Sequence, residues 1–247
     1  MVKDEEKSVF PEATEDLIAE ISKHHPRPPF YETIVAMDLG FKDLTVVLFG
    51  YYDFRADKIV IEDEIVKFGK ELKLPEFTQE ILDKETELWT HPISQEVIKP
   101  SVRVSDINYI VTSEIARISN GLLNFSAARK EPGYKLPMIN QLRVMLANKK
   151  IIISPKCETL LRHLKNCRWK DASEKDEFAR SQDNGHYDAC DALIYLVKHM
   201  NFKKDPYPSH YQLNPSNMHF PSNSSQSQEK TDPHKIFASI FGVKKKK

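Results

Sequence analysis

The chain has 247 residues, 40% hydrophobic and 29% charged, too apolar for a disordered polymer and long enough for one large domain or two small ones. No apolar run approaches the ~18 residues that cross a bilayer, MVKDEEKSVF has no secretory apolar region, and Cys157, Cys167 and Cys190 form no CxxC pair, which together predict a cytosolic protein without a disulfide framework or cysteine-based zinc site. The formal net charge of zero divides into +5 from Asn201 onward and −5 in the rest, so an acidic body would need metal ions or a local basic patch to handle nucleic acid.

In chain order, residues 1–30 hold an acidic, helix-compatible stretch and then HHPRPP, which cannot continue a helix and reads as an arm or linker. Thr33 to Asp38 is an apolar run ending in an acid. Leu44 to Tyr52 (LTVVLFGYY) has the β-branched and aromatic composition of a buried strand, and Lys58 to Lys67 alternates like a more exposed one. The three form a meander, with Gly40 and residues 53–57 at its turns. An amphipathic helix follows over Glu76 to Trp89, after Pro75. A short strand over Val102 to Asp106 again ends in an acid, and a helix over Ile110 to Ser119 closes at Asn120-Gly121. Leu123 to Ala127 and Lys150 to Ile153 read as strands, and Leu136 to Asn148, Cys157 to Cys167 and His186 to Met200 as helices. This order predicts an α/β domain over residues 31–200, its mixed sheet made of an antiparallel meander plus parallel strands and flanked by helices. Trp169 reads as a core residue. Residues 201–247 form a flexible basic tail, with a short amphipathic segment over Asp232 to Gly242 and four terminal lysines.

Asp38 and Asp106 each end an apolar strand, and Asp188 and Asp191 in GHYDACDAL share one face of the last helix at i, i+3. Acids at strand ends and on a helix face can converge on hard divalent cations, which bind through oxygen. Two such ions about 4 Å apart activate water and stabilise the leaving oxygen of a phosphodiester. Each acid also has a plain structural reading: Asp38 as a turn opener, Asp106 as a helix cap, Asp188 as a partner of the helix dipole, Asp191 as half of an ion pair.

AMDLGFKDLTVVLFGYYD, VSDINYIVTSEI, NFSAARKE, INQLRVMLANKKIIISPKCETLLRHLK and GHYDACDALIYLVKH, in that order, resemble the nuclease domain of tailed-phage large terminase subunits over Thr33 to Met200. The resemblance implies a ribonuclease H-like fold, and an endonuclease that cuts concatemeric viral DNA during packaging with two Mg²⁺ or Mn²⁺ ions, leaving 5′-phosphate and 3′-hydroxyl ends. Its first acid falls on Asp38 and its second on Asp106. Its last falls on Asp188 or Asp191, both of which we carry. Asp43 is an auxiliary acid by the same resemblance, with a turn role as its alternative. His186 is a candidate auxiliary ligand or proton shuttle, and Lys130, Arg129 and Arg180 are candidate phosphate contacts. The implied partners are double-stranded DNA, a packaging ATPase domain or subunit, the portal and a small terminase subunit, in the cytoplasm of an infected host cell. The ATPase's GxxxxGK[ST] loop does not occur in these residues. Two rivals remain: a Holliday-junction-resolvase-like nuclease on the same fold, and a non-cleaving motor-docking module, for which widely spaced carboxylates or a buried last helix would speak.

Overall fold

A computed structural model describes residues 7–40, 43–91, 95–106, 109–128, 130–171, 175, 177–180 and 186–203. These all lie in the first of two compact units, Met1–Pro206. Arg129 and the amphipathic segment at 232–242 lie outside the described residues.

The meander forms as its residue types predict. Strands β1 (Glu32–Asp38), β2 (Leu44–Asp53) and β3 (Lys58–Phe68) pair antiparallel. Gly40 closes the first turn because no side chain fits there: a Cβ would lie 2.3 Å from the Leu44 carbonyl oxygen. Thr45 Oγ1 bonds the Gly40 backbone, accepting from its N–H and donating to its carbonyl, each at 3.2 Å. Gly50 sits at a register shift between β2 and β3, where a Cβ would meet the Val60 carbonyl oxygen at 2.6 Å. The shift places the extra residue, Glu62, on β3 and exchanges the faces of that strand: Ile59 and Ile61 join one core, and Ile65 the other.

Around the meander the chain adds α2 (Leu74–Trp89), β4 (Val102–Ser105), α3 (Tyr109–Ile118), β5 (Ser126–Ala127), α4 (Lys135–Ala147), β6 (Ile151–Ile153), α5 (Glu158–Asn166) and α6 (Asp188–His199). The sheet order is β5-β4-β1-β2-β3-β6, with β4 parallel to β1, β5 parallel to β4 and β6 parallel to β3. Alternation sends Ile34 and Ala36 of β1 to the face covered by α6, and Val35 and Met37 to the face covered by α2 and α3. α6 packs across β1, β2 and β4 and is buried from Asp188 to Val197 except at the half-buried Asp191.

Several boundaries differ from the sequence reading. α2 starts at Leu74, with Pro75 in its first turn, where no intrahelical N–H bond is lost. The expected strand over Leu123 to Ala127 shortens to two residues, because Leu123 is buried in the second core rather than paired. His186 lies outside α6, which begins on Asp188 after Tyr187 takes the left-handed conformation at φ 60°. Nor is the N-terminal stretch only a lead-in. A short helix, α1 (Glu15–Ile21), capped by Thr14, packs against α5 and β6, and Val9, Phe10 and Ile21 are fully buried. Two isolated apolar residues in a polar stretch carry no periodic signal, so their burial was not readable. Among the described residues no helix is long and apolar enough to cross a membrane.

Candidate active site

Strand alternation aims the first two acids. Asp38 follows Ile34 and Ala36 on the α6 face of β1, and Asp106, one residue past the end of β4, follows Val104 on the same face. The parallel register Ala36↔Val104 and Met37↔Ser105 continues through a bond from the Asp106 N–H to the Met37 carbonyl, 3.1 Å. Asp38 and Asp106 therefore stand side by side at the ends of neighbouring strands, which run about 4.8 Å apart. Above them the first turn of α6 supplies Asp188 and Asp191. That turn is held by Tyr187, whose buried ring meets His163 at 5.5 Å and Phe178 at 6.5 Å, both edge-on.

One cavity of about 430 Å³ is lined by Asp38, Asp43, Asp106, Asp188 and Asp191, and by Lys130, Arg180 and His186. Eight of the nine candidates from the sequence are thus together, and the ninth, Arg129, is outside the described residues. Trp169 is buried in the main core, as its composition suggested. Sequence reasoning missed Tyr134, Lys135 and Tyr195, which also line the cavity. Tyr195 was readable, since it lies at i+4 from Asp191 on the same helix face. Lys135 and Tyr134 come from the start of α4, and nothing local in the sequence points them at the acids.

The electrostatics are those of crowded carboxylates. Burial, then the charges of Asp191, Asp188 and Asp106, hold the Asp38 carboxyl well above the usual carboxylate range. Asp188 is pushed up to about 6 by burial and then by Asp43 and Asp191, against hydrogen bonds from its own N–H and that of Leu44. Asp191 is raised by burial in spite of Lys135. Tyr134, which hydrogen-bonds Tyr195, is pushed up to about 12 by burial and the charge of Asp191, and Tyr195 is raised further by burial and the charges of Asp38, Asp191 and Asp106.

Three cations answer five carboxylates. Lys130 Nζ is 2.6 Å from Asp106, Lys135 Nζ 2.9 Å from Asp191, and Arg180 Nη2 3.0 Å from Asp43. The cavity keeps a formal charge of −2 with His186 neutral. Among the described residues no three His, Cys, Asp or Glu side chains stand ready as a metal-holding group. Lys130 and Lys135 each lie on one of these carboxylates, Asp106 and Asp191. The donor set nevertheless suits hard divalent ions. It is all oxygen and anionic, and Asp188 Oδ2 and Asp191 Oδ1 are buried without a hydrogen-bond partner.

No protein-family model matches this sequence, and no curated protein does. Solved structures do match. The large terminase from the thermophilic bacteriophage D6E superimposes with a TM-score of 0.58 at 18% identity, covering 78% of this chain and 46% of that one. The P22 large terminase nuclease domain gives 0.55 at 14%, covering 77% and 92%. The large terminase nuclease from thermophilic phage G20c with bound magnesium gives 0.52 at 17%, covering 79% and 98%, and a cobalt-bound form of that nuclease also matches. The chain spans just under half the length of the D6E protein and nearly all of the P22 and G20c domains. It has the ribonuclease H-like fold of large terminase nuclease domains.

Proposed function

We propose that this protein is a metal-dependent DNA endonuclease that cuts concatemeric viral DNA during genome packaging. The observation that carries this reading is the meeting of Asp38, Asp106, Asp188 and Asp191, from two strand ends and a helix start, in one cavity with three cations. An anionic cleft lined by oxygen donors repels DNA unless divalent cations reverse its charge. Those four acids would hold two such ions, Mg²⁺ or Mn²⁺, with Asp43 as an auxiliary donor. When bound, the ions supply Lewis acidity to the attacking water and to the leaving 3′-oxygen.

The chain's own residues bind and orient. Lys130 stands at the rim with its side chain 33% exposed, close enough to the acids to take a phosphate oxygen. Arg180, still more exposed, presents a fork that suits a second phosphate. His186, in the turn before α6, lines the same cavity; in this reading it accepts or returns a proton at a phosphate-bound oxygen. Tyr134 and Tyr195 line the same cavity beside the acids. The burial of α6 along its length, which would suit a docking module, does not displace this reading, because its first turn still opens on the cavity.

The proposed partners are double-stranded DNA, a packaging ATPase domain or chain, a portal and a small terminase subunit, and the proposed setting is an infected cell's cytoplasm. Plasmid cleavage with Mg²⁺, Mn²⁺ or EDTA tests the chemistry. Nicking or linearisation that needs metal and is lost in folded Asp38→Asn and Asp106→Asn supports it. Cleavage that persists in EDTA or in both variants overturns it.

A further inference from the structure

Two lysines reach into the acid cluster, and they are held very differently. The Lys130–Asp106 pair lies at the rim, with side chains 33% and 31% exposed. The Lys135–Asp191 pair is more enclosed, at 18% and 16%. Lys135 Nζ donates to Asp191 Oδ2 at 3.2 Å and lies 2.9 Å from Oδ1, outside hydrogen-bonding geometry. It also sits 3.6 Å from the centroid of the buried Phe178 ring, a cation–π contact. Lys130 lies farther, 5.2 Å, from its ring, Tyr195. Lys135 is the first residue of α4, two residues after Gly133, which has a positive φ of 73°.

We propose that Lys135 is a tethered cation that holds Asp191 in place of a divalent ion, so that the ion which takes Asp191 binds only by displacing the lysine. This rests on the metal-dependent reading above and adds a determinant of how tightly this chain holds its ions. An ammonium and a divalent cation compete for the same carboxylate oxygens. An enclosed pair backed by an aromatic ring resists displacement, whereas an exposed pair contributes little. The flexible four-carbon stem lets the displaced ammonium swing from Asp191 toward the phosphates entering the cleft. Lys135 is therefore a positioning residue, acting through Asp191 on ion occupancy.

Calorimetric titration of the full chain with Mn²⁺ in the absence of DNA tests this, with free Mn²⁺ counted by electron paramagnetic resonance. Lys135→Gln should bind Mn²⁺ at least tenfold more tightly than wild type, and Mn²⁺ should raise its melting temperature by more. Lys130→Gln removes the same charge from the rim and should change affinity by less than about threefold. Lys135→Arg keeps the charge in a bidentate fork and should bind Mn²⁺ more weakly than wild type, which keeps the proposal testable if Lys135→Gln does not fold. Equal effects of Lys130→Gln and Lys135→Gln would mean ordinary charge repulsion and overturn the proposal, as would unchanged affinity in Lys135→Gln or unchanged affinity in Lys135→Arg. If neither wild type nor Lys135→Gln binds Mn²⁺, the metal-dependent reading itself falls and takes this one with it.

Discussion

The two faces of the sheet bury the same kinds of acids in opposite ways. On the face covered by α2 and α3, Glu85, Asp63 and Glu62 each have a cation. Glu85 is 4% exposed and accepts two bonds from Arg103, at 2.6 and 2.7 Å. Asp63 takes Lys84 at 3.0 Å, and Glu62 takes both Arg27 and the Trp89 indole N–H. On the face covered by α6, five carboxylates crowd one cavity, two buried oxygens lack hydrogen-bond partners, and Asp38, Asp188 and Asp191 are held above the ordinary carboxylate range. The first arrangement is complete as it stands. The second is an arrangement that a bound cation would relieve, and that difference supports the α6 side as the proposed site.

Substitutions on the two faces should therefore have opposite signs. Asp38→Asn removes a buried charge from a repulsive cluster, so the proposed cleavage should fall by ~10³-fold or more, about 4 kcal/mol of lost transition-state stabilisation. The metal-free protein should nonetheless melt at a higher temperature than wild type. Glu85→Ala should do the reverse. It leaves the Arg103 guanidinium buried without a partner, a loss of about 3–5 kcal/mol in urea unfolding, while the folded fraction keeps its Mn²⁺ affinity. A destabilised Asp38→Asn, or a neutral Glu85→Ala, would erase the contrast.

The candidate cluster was more legible than the scaffold that holds it. Asp38 and Asp106 stood out because a period of two makes an acid at the end of an apolar run conspicuous, and Asp188 with Asp191 because i, i+3 is a face. The meander was legible for a different reason: Leu44–Asp53 is buried at every position, and that shows in its unbroken β-branched and aromatic composition. Glu85 carried a signal of a different kind that went unread. It occupies the apolar stripe Phe77, Ile81, Glu85, Trp89, where a charge needs a buried partner, and Arg103 lies far off in sequence. The parallel pairing of β6 with β3 and the entry of Lys135 into the cleft are long-range facts that no local pattern encodes.

Two groups near the base of α6 give the smallest expected effects and sharpen the comparison by sign. His163 is fully buried in the main core, and its pKa is lowered to about 4 by burial and then by the charge of Arg162. A folded pKa below the unfolded value of about 6.5 means that the unfolded chain takes up protons first. This contribution is whole above pH ~6.5 and is lost as pH falls towards 4, up to about 3 kcal/mol. Asp188, raised to about 6, works the other way: the folded state takes up the proton first, so stability grows as pH falls from about 6 towards 3.8. In the metal-free protein the two nearly cancel across the acid range. Asp188→Asn should therefore raise stability by about 1–3 kcal/mol at pH 7 and leave the loss through His163 uncovered, so that its melting temperature falls more steeply than wild type between pH 6.5 and 4. His163→Gln should show the mirror image, gaining on wild type as pH falls. Parallel melting curves for wild type and both variants over that range would show that neither group titrates as its burial dictates.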